Sequence, residues 1–173
     1  MKTKLMLTCL LMMGIALALS GCGKKAPERA AEKAIEQSMR DSGAQNAHVD
    51  ISSGNMKVKS DEGEMDIAGE GGSASIPAEF PKDVFVDTKA KVQMSMKTPE
   101  GFVLTLVSNG SLADTAKAYD DHIKAQGWKQ DVNMDMGNVH TLVYKKGDRA
   151  LTVMASSDDS NEITINVTVE ANE

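Results

Sequence analysis

The last third of the chain alternates. Ile163, Ile165, Val167 and Val169 fall on one side of a run whose other side is Thr164, Asn166, Thr168 and Glu170. A period of two with one apolar side is what a strand with one buried face requires. Shorter versions of the pattern predict strands over Trp128 to Asp135, Val139 to Lys145 and Arg149 to Ala155. They are separated by brief turns at Gly137-Asn138, Lys146-Gly147-Asp148 and Ser157 to Asn161. Turns that short join antiparallel neighbours. Earlier, Val92, Met94 and Met96 alternate, Pro99-Glu100-Gly101 turns the chain, and Phe102 to Val107 returns as the second arm of a hairpin. Between these groups the period changes to that of a helix. Leu112, Ala116, Tyr119 and Ile123 form an apolar stripe, opened by Ser111-Leu112-Ala113-Asp114 as a capping-box variant and closed by Gly127. Asp120 and Lys124 are placed to pair one turn apart on its wet side. The fold class expected is α+β, an antiparallel β-sheet crossed by one amphipathic helix.

A smaller unit precedes this domain. Ala26 to Ser42 reads as a helix, with Pro27 at its start, Gly43 past its end, and a weakly apolar face of Ala31, Ala34, Ile35, Ser38 and Met39. Val49 and Ile51, Met56 and Val58, and Met65 and Ile67 then mark three short strands separated by turn clusters. Residues 26–68 are thus a small helix plus three-stranded unit, or alternatively a stalk. Residues 69–75, rich in Gly and Ser, read as a linker, and residues 76–173 as the α+β domain.

The opening residues belong to neither. Lys2 and Lys4 precede an uncharged apolar run from Leu5 to Leu19, which closes on Leu19-Ser20-Gly21-Cys22. That run is about 15 residues, short of the roughly 20 that a membrane-spanning helix needs, and it has the layout of an export signal. The tetrapeptide resembles the lipobox of bacterial lipoproteins. The resemblance implies a cleaved signal peptide over 1–21, lipid on the thiol of Cys22, and a lipid-anchored start over 22–25. Gly23 stands where that family uses Asp for inner-membrane retention, which points to the outer membrane, facing the periplasm. The covalent lipid is the only cofactor expected, and the membrane the first partner.

A second resemblance covers residues 76 to 170. Ile76-Pro77 through Phe80-Pro81-Lys82-Asp83-Val84, the segment Asp114 through Tyr119, and Gly127-Trp128 look like a recurring domain of uncharacterised bacterial lipoproteins. It implies the same helix-then-strands layout and brings no catalytic residues with it.

Charge and thiol content narrow the chemistry. Loss of residues 1–21 removes Lys2 and Lys4 and no acid, so the formal charge moves from -6 to -8. Nucleic acid is therefore not an expected partner. Cys9 would leave with the signal and Cys22 would carry lipid, so no disulfide is expected. His48, His122 and His140 are isolated in sequence, and no Gly-x-Ser-x-Gly motif is present. Asp120-Asp121 and Asp158-Asp159 read as solvated acids. Trp128, directly after a helix end, reads as closing the core.

Met94-x-Met96 and Met134-x-Met136 admit two readings. They fill strand cores, with Val92 and Val132 continuing each stripe, or their thioethers bind Cu(I). The function expected is a non-catalytic interaction or binding module in the cell envelope, with an envelope protein as a further partner. Periplasmic Cu(I) binding is the alternative, and an envelope enzyme the third.

Overall fold

The computed structural model describes residues 26–44, 46–158 and 161–170. The signal segment 1–21, Cys22 and Asp159 lie outside the described residues. Two helices, α1 (Ala26–Asp41) and α2 (Leu112–Ala125), accompany nine strands. The strands are β1 (His48–Ser52), β2 (Asn55–Ser60), β3 (Gly63–Ile67), β4 (Lys91–Thr98), β5 (Gly101–Asn109), β6 (Lys129–Asp135), β7 (Val139–Lys146), β8 (Arg149–Ser157) and β9 (Glu162–Glu170). They form one antiparallel sheet in the order β1-β2-β3-β4-β5-β9-β8-β7-β6.

The three strands of the N-terminal unit join that same sheet, because β3 pairs with β4 from Glu64↔Lys97 to Ile67↔Met94. The Gly- and Ser-rich stretch between them runs hydrogen-bonded along the sheet. The Ala74 N–H donates to Val92 O at 2.7 Å, the Ser75 N–H to Asp66 Oδ2 at 2.9 Å, and the Gly69 N–H to Asn55 Oδ1 at 3.1 Å.

One face of the sheet carries the core from β4 to β8. Leu104 and Leu106 of β5, Val167 and Ile165 of β9, Leu151 and Val153 of β8, and Leu142 and Tyr144 of β7 are all buried on it. Two coverings share that face. The α2 residues Ala116, Tyr119 and Ile123 are buried, and the helix packs on β7 and β8. Over β4 and β5 lies the segment bearing Ala74, Phe80 and Val84, with the Phe80 ring edge-on to Phe102 at 5.7 Å. The expected helix crossing the sheet is thereby corrected: α2 covers one end, and this turn-rich segment fills the other.

Local signals behave as expected. Ser111 caps α2 by accepting the Asp114 N–H at 3.0 Å, Gly127 takes φ +84°, and Trp128 is buried, its Nε1–H donating to Asp83 O at 3.0 Å. Ser53 and Gly54 both have positive φ, the backbone of a tight two-residue hairpin turn between β1 and β2.

Candidate binding face

The opposite face of the sheet holds the unexpected feature. Cross-strand partners point to the same side, so the pairing register reads as rows. One row runs Val49, Val58, Met65, Met96, Val103, Thr168, Thr152, Val143, Val132. The next runs Ile51, Met56, Ile67, Met94, Thr105, Asn166, Met154, Thr141, Met134. Both cross all nine strands, and neither contains a charged residue. Lys91, Lys129, Lys145 and Glu170 stand on the flanking rows.

Methionine placement follows this face. None of the eight methionines among the described residues belongs to the core cluster. Six sit on the two rows, and Met134 and Met154 are exposed there, at 44% and 40%. The expectation that Met134 and Met136 fill a core is corrected. Val132 and Met134 project away from α2, and Met136 lies past the end of β6 at 58% exposure.

Met94 and Met96 are corrected for a different reason. A bulge between Val92 and Met94 leaves Val92 opposite Leu106 in the core but sets Met94 opposite Thr105 on the open face. An extra residue in one strand reverses the side on which the following residues point. Four strands separate Met94 and Met96 on β4 from Met134 on β6, about 24 Å at the usual strand spacing, so the structure does not bring the two pairs together.

The N-terminal helix covers the β1 end of the open face, where Val49 and Val58 are buried. Its attachment is unusual. The N–H groups of Val49 and Ile51 on the outer edge of β1 donate to Glu36 Oε1 at 3.0 Å and Glu32 Oε1 at 2.9 Å. Two glutamates one helical turn apart thus replace the acceptors of a tenth strand. The Val49 N–H, with smaller contributions from His48 and Arg40, holds the Glu36 carboxyl below its usual range. Sequence reasoning missed this pair, because a wheel ranks faces by apolar content and gives no sign of which polar side chains meet a strand edge.

Where α1 leaves the sheet, a cleft of about 220 Å3 opens. Met39 of α1 with Val58, Met65 and Met96 gives it apolar walls, and Glu62, Lys97 and Thr98 are among its other lining residues. The convergence of three methionines was also missed, since they lie on three separate elements and no spacing links them.

The groups able to do acid–base chemistry are dispersed and bound into structure. His48 meets Glu36 at 3.1 Å, the His122 ring stacks on Phe85 at 4.1 Å, and His140 Nε2 lies 2.8 Å from Asn133 Oδ1. Asp120 is pinned by Lys124, Gln130 and the Tyr144 hydroxyl, the last at 2.8 Å. Burial pushes the Tyr119 hydroxyl up to about 12 and raises Tyr144 as well, helped there by Asp120. Asp121 pairs with Lys117. Among the described residues, no group of three His, Cys, Asp or Glu side chains is placed to hold a metal, and no helix is long and apolar enough to cross a membrane.

No curated protein and no solved structure matches the chain. A family model described as START domain-like matches residues 91–168, just under half of the chain. The matched stretch begins with β4 and ends within β9, so it includes α2 and the β4-to-β9 part of the open face. The likeness suggests a ligand-binding module, compatible with a non-catalytic binding role.

Proposed function

We propose that the chain is an envelope lipoprotein, tethered through lipid on Cys22, whose open sheet face binds an elongated apolar ligand without chemically changing it. The observation that carries this reading is the segregation of side chains. The core uses Leu, Ile, Val and aromatic residues, whereas every methionine among the described residues stays out of it, most of them on an uncharged face that runs the width of the sheet. Methionine is unbranched and polarizable, and it suits surfaces that adapt to apolar partners. Val132, Met134 and Met154 are exposed together at the β6–β8 end of that face, and exposed apolar side chains gathered on one surface mark an interaction site. The interspersed Thr and Asn side chains keep such a face wettable while it is empty. The START domain-like match supports the same class of role.

A fatty acid bearing a photoreactive diazirine, fed to cells making the full chain, tests both halves of the proposal. Before irradiation, probe is expected on the Cys22 peptide, and a Cys22→Ser variant is expected to lose it and to remain unprocessed. After irradiation, new adducts are expected on peptides containing Thr152 to Met154 and Thr164 to Thr168. Adducts spread equally onto α2, or none on the face, would defeat the ligand-binding half. Absence of probe from Cys22 would defeat the tether.

A further inference from the structure

We infer that the cleft between α1 and the sheet is a binding site for a soft monovalent cation, Cu(I) or its chemical analogue Ag(I), held by the thioethers of Met39, Met65 and Met96. Met65 and Met96 face each other directly across β3 and β4, a placement that brings Cβ atoms to about 4.5–5.5 Å. Met39 reaches the same cleft from α1, and all three line it. Thioether sulfur is a neutral, soft donor that selects Cu(I) over harder divalent ions. It is also not consumed by disulfide formation, as a thiol would be.

The surroundings favour a single positive charge. Val58 is the apolar wall beside the sulfurs, and no histidine lines the cleft. Glu64 and Lys97 alternate with Met65 and Met96 along their strands and so project from the other face of the sheet, and Glu62 is the remaining charged lining residue. Two unbranched side chains on adjacent strands and a third on a helix leave the sulfurs free to turn inward about the ion. The trio differs from the pairs Met94/Met96 and Met134/Met136 that sequence spacing alone suggests, and it shares only Met96 with them. The site shares Met65 and Met96 with the open face, and the two proposals are tested separately, because Met→Leu changes keep the face apolar while removing sulfur.

The test uses the full chain in mild detergent with Cys9→Ser and Cys22→Ser, so that no thiol competes. Cu(I) affinity is read by competition with bicinchoninate under reducing conditions. One Cu(I) per chain is expected, with affinity falling at least tenfold for each of Met39→Leu, Met65→Leu and Met96→Leu. Met134→Leu and Met136→Leu are expected to stay within twofold of the parent, and X-ray absorption of the bound ion to show a sulfur shell. Binding no tighter than that of the triple Met39→Leu/Met65→Leu/Met96→Leu chain would overturn the inference. So would equal losses in the Met134 and Met136 variants, or a nitrogen- and oxygen-only shell. Circular dichroism of the Leu variants separates loss of the site from loss of fold.

Discussion

Arg149 grips Asp83 from 66 positions along the chain, Nη1 donating to Oδ1 at 3.0 Å and Nη2 to Oδ2 at 2.5 Å. Lys146 Nζ adds a third bond at 2.7 Å, and the Arg149 guanidinium lies over the Trp128 ring at 4.8 Å. The cluster fastens the segment covering β4 and β5 to the β7–β8 turn, and so closes the core where α2 ends. The Arg149 hydrogen bonds, outweighing burial and seconded by Lys146, hold the Asp83 carboxyl well below its ordinary value of 3.8. A carboxyl depressed by folding stabilises the fold above its unfolded value, and that contribution is lost as pH falls through the folded one. Asp83→Asn is expected to cost roughly 1.5–3 kcal/mol at pH 7, read as a melting temperature lower by roughly 3–12 °C. The gap between variant and parent is expected to narrow below about pH 4. Thermal melts at pH 7 and pH 3 check both.

The two faces of the sheet predict opposite sensitivities. Leu104 is fully buried on the core face, so Leu104→Ala is expected to destabilise by about 2–5 kcal/mol. Thr152 lies half-buried on the open face, and Thr152→Val is expected to stay within about 0.5 kcal/mol. Urea unfolding of the two variants reads the contrast; similar losses would mean that the open face is packed against something.

The glutamate edge on β1 is expected to depend on an acceptor atom and not on charge. Replacing Glu32 and Glu36 by Gln keeps a side-chain carbonyl for the Ile51 and Val49 N–H groups; replacing them by Ala removes it. Amide exchange at Val49 and Ile51 is therefore expected to quicken on the order of tenfold in the double Ala variant and little in the double Gln variant. A bare β1 edge is also a template for pairing with another chain, so light scattering is expected to rise with the Ala pair alone.

Gly101 opens β5 with φ +151°, and an added Cβ would meet Val169 O at 2.0 Å. Gly101→Ala is expected to cost at least about 1 kcal/mol, seen as faster exchange along β5 and β9.

Strand positions were legible because alternation and turn residues are local properties. Thr164, Asn166 and Thr168 against Ile163, Ile165 and Val167 announced both the strand and its two sides. The side that becomes core was less legible. In β1 to β3 the apolar residues Val49, Val58 and Met65 lie on the face opposite that of Leu104, Val167 and Leu151. The switch is made in β4 by one bulged residue between Val92 and Met94, which the stripe Val92, Met94, Met96 conceals. Strand order was equally hidden, since the pairing of β5 with β9 is fixed by packing across a long separation and no turn encodes it. The Met39–Met65–Met96 cleft and the Glu32 and Glu36 contacts required that order to be known first.

The position of β9 has a consequence for how the sheet is assembled. It lies between β5 and β8, so every strand before it in the chain forms part of one of two incomplete sheets, β1 to β5 or β6 to β8. Its pairings with β5 close loops from Asn109↔Glu162 out to Gly101↔Glu170, and such distant contacts must offset a large entropy of closure before they stabilise anything. Either half without β9 presents a long unpaired edge. Only with β9 in place do the two half-sheets become one hydrogen-bonded body, so the last strand of the chain carries the continuity of the whole sheet.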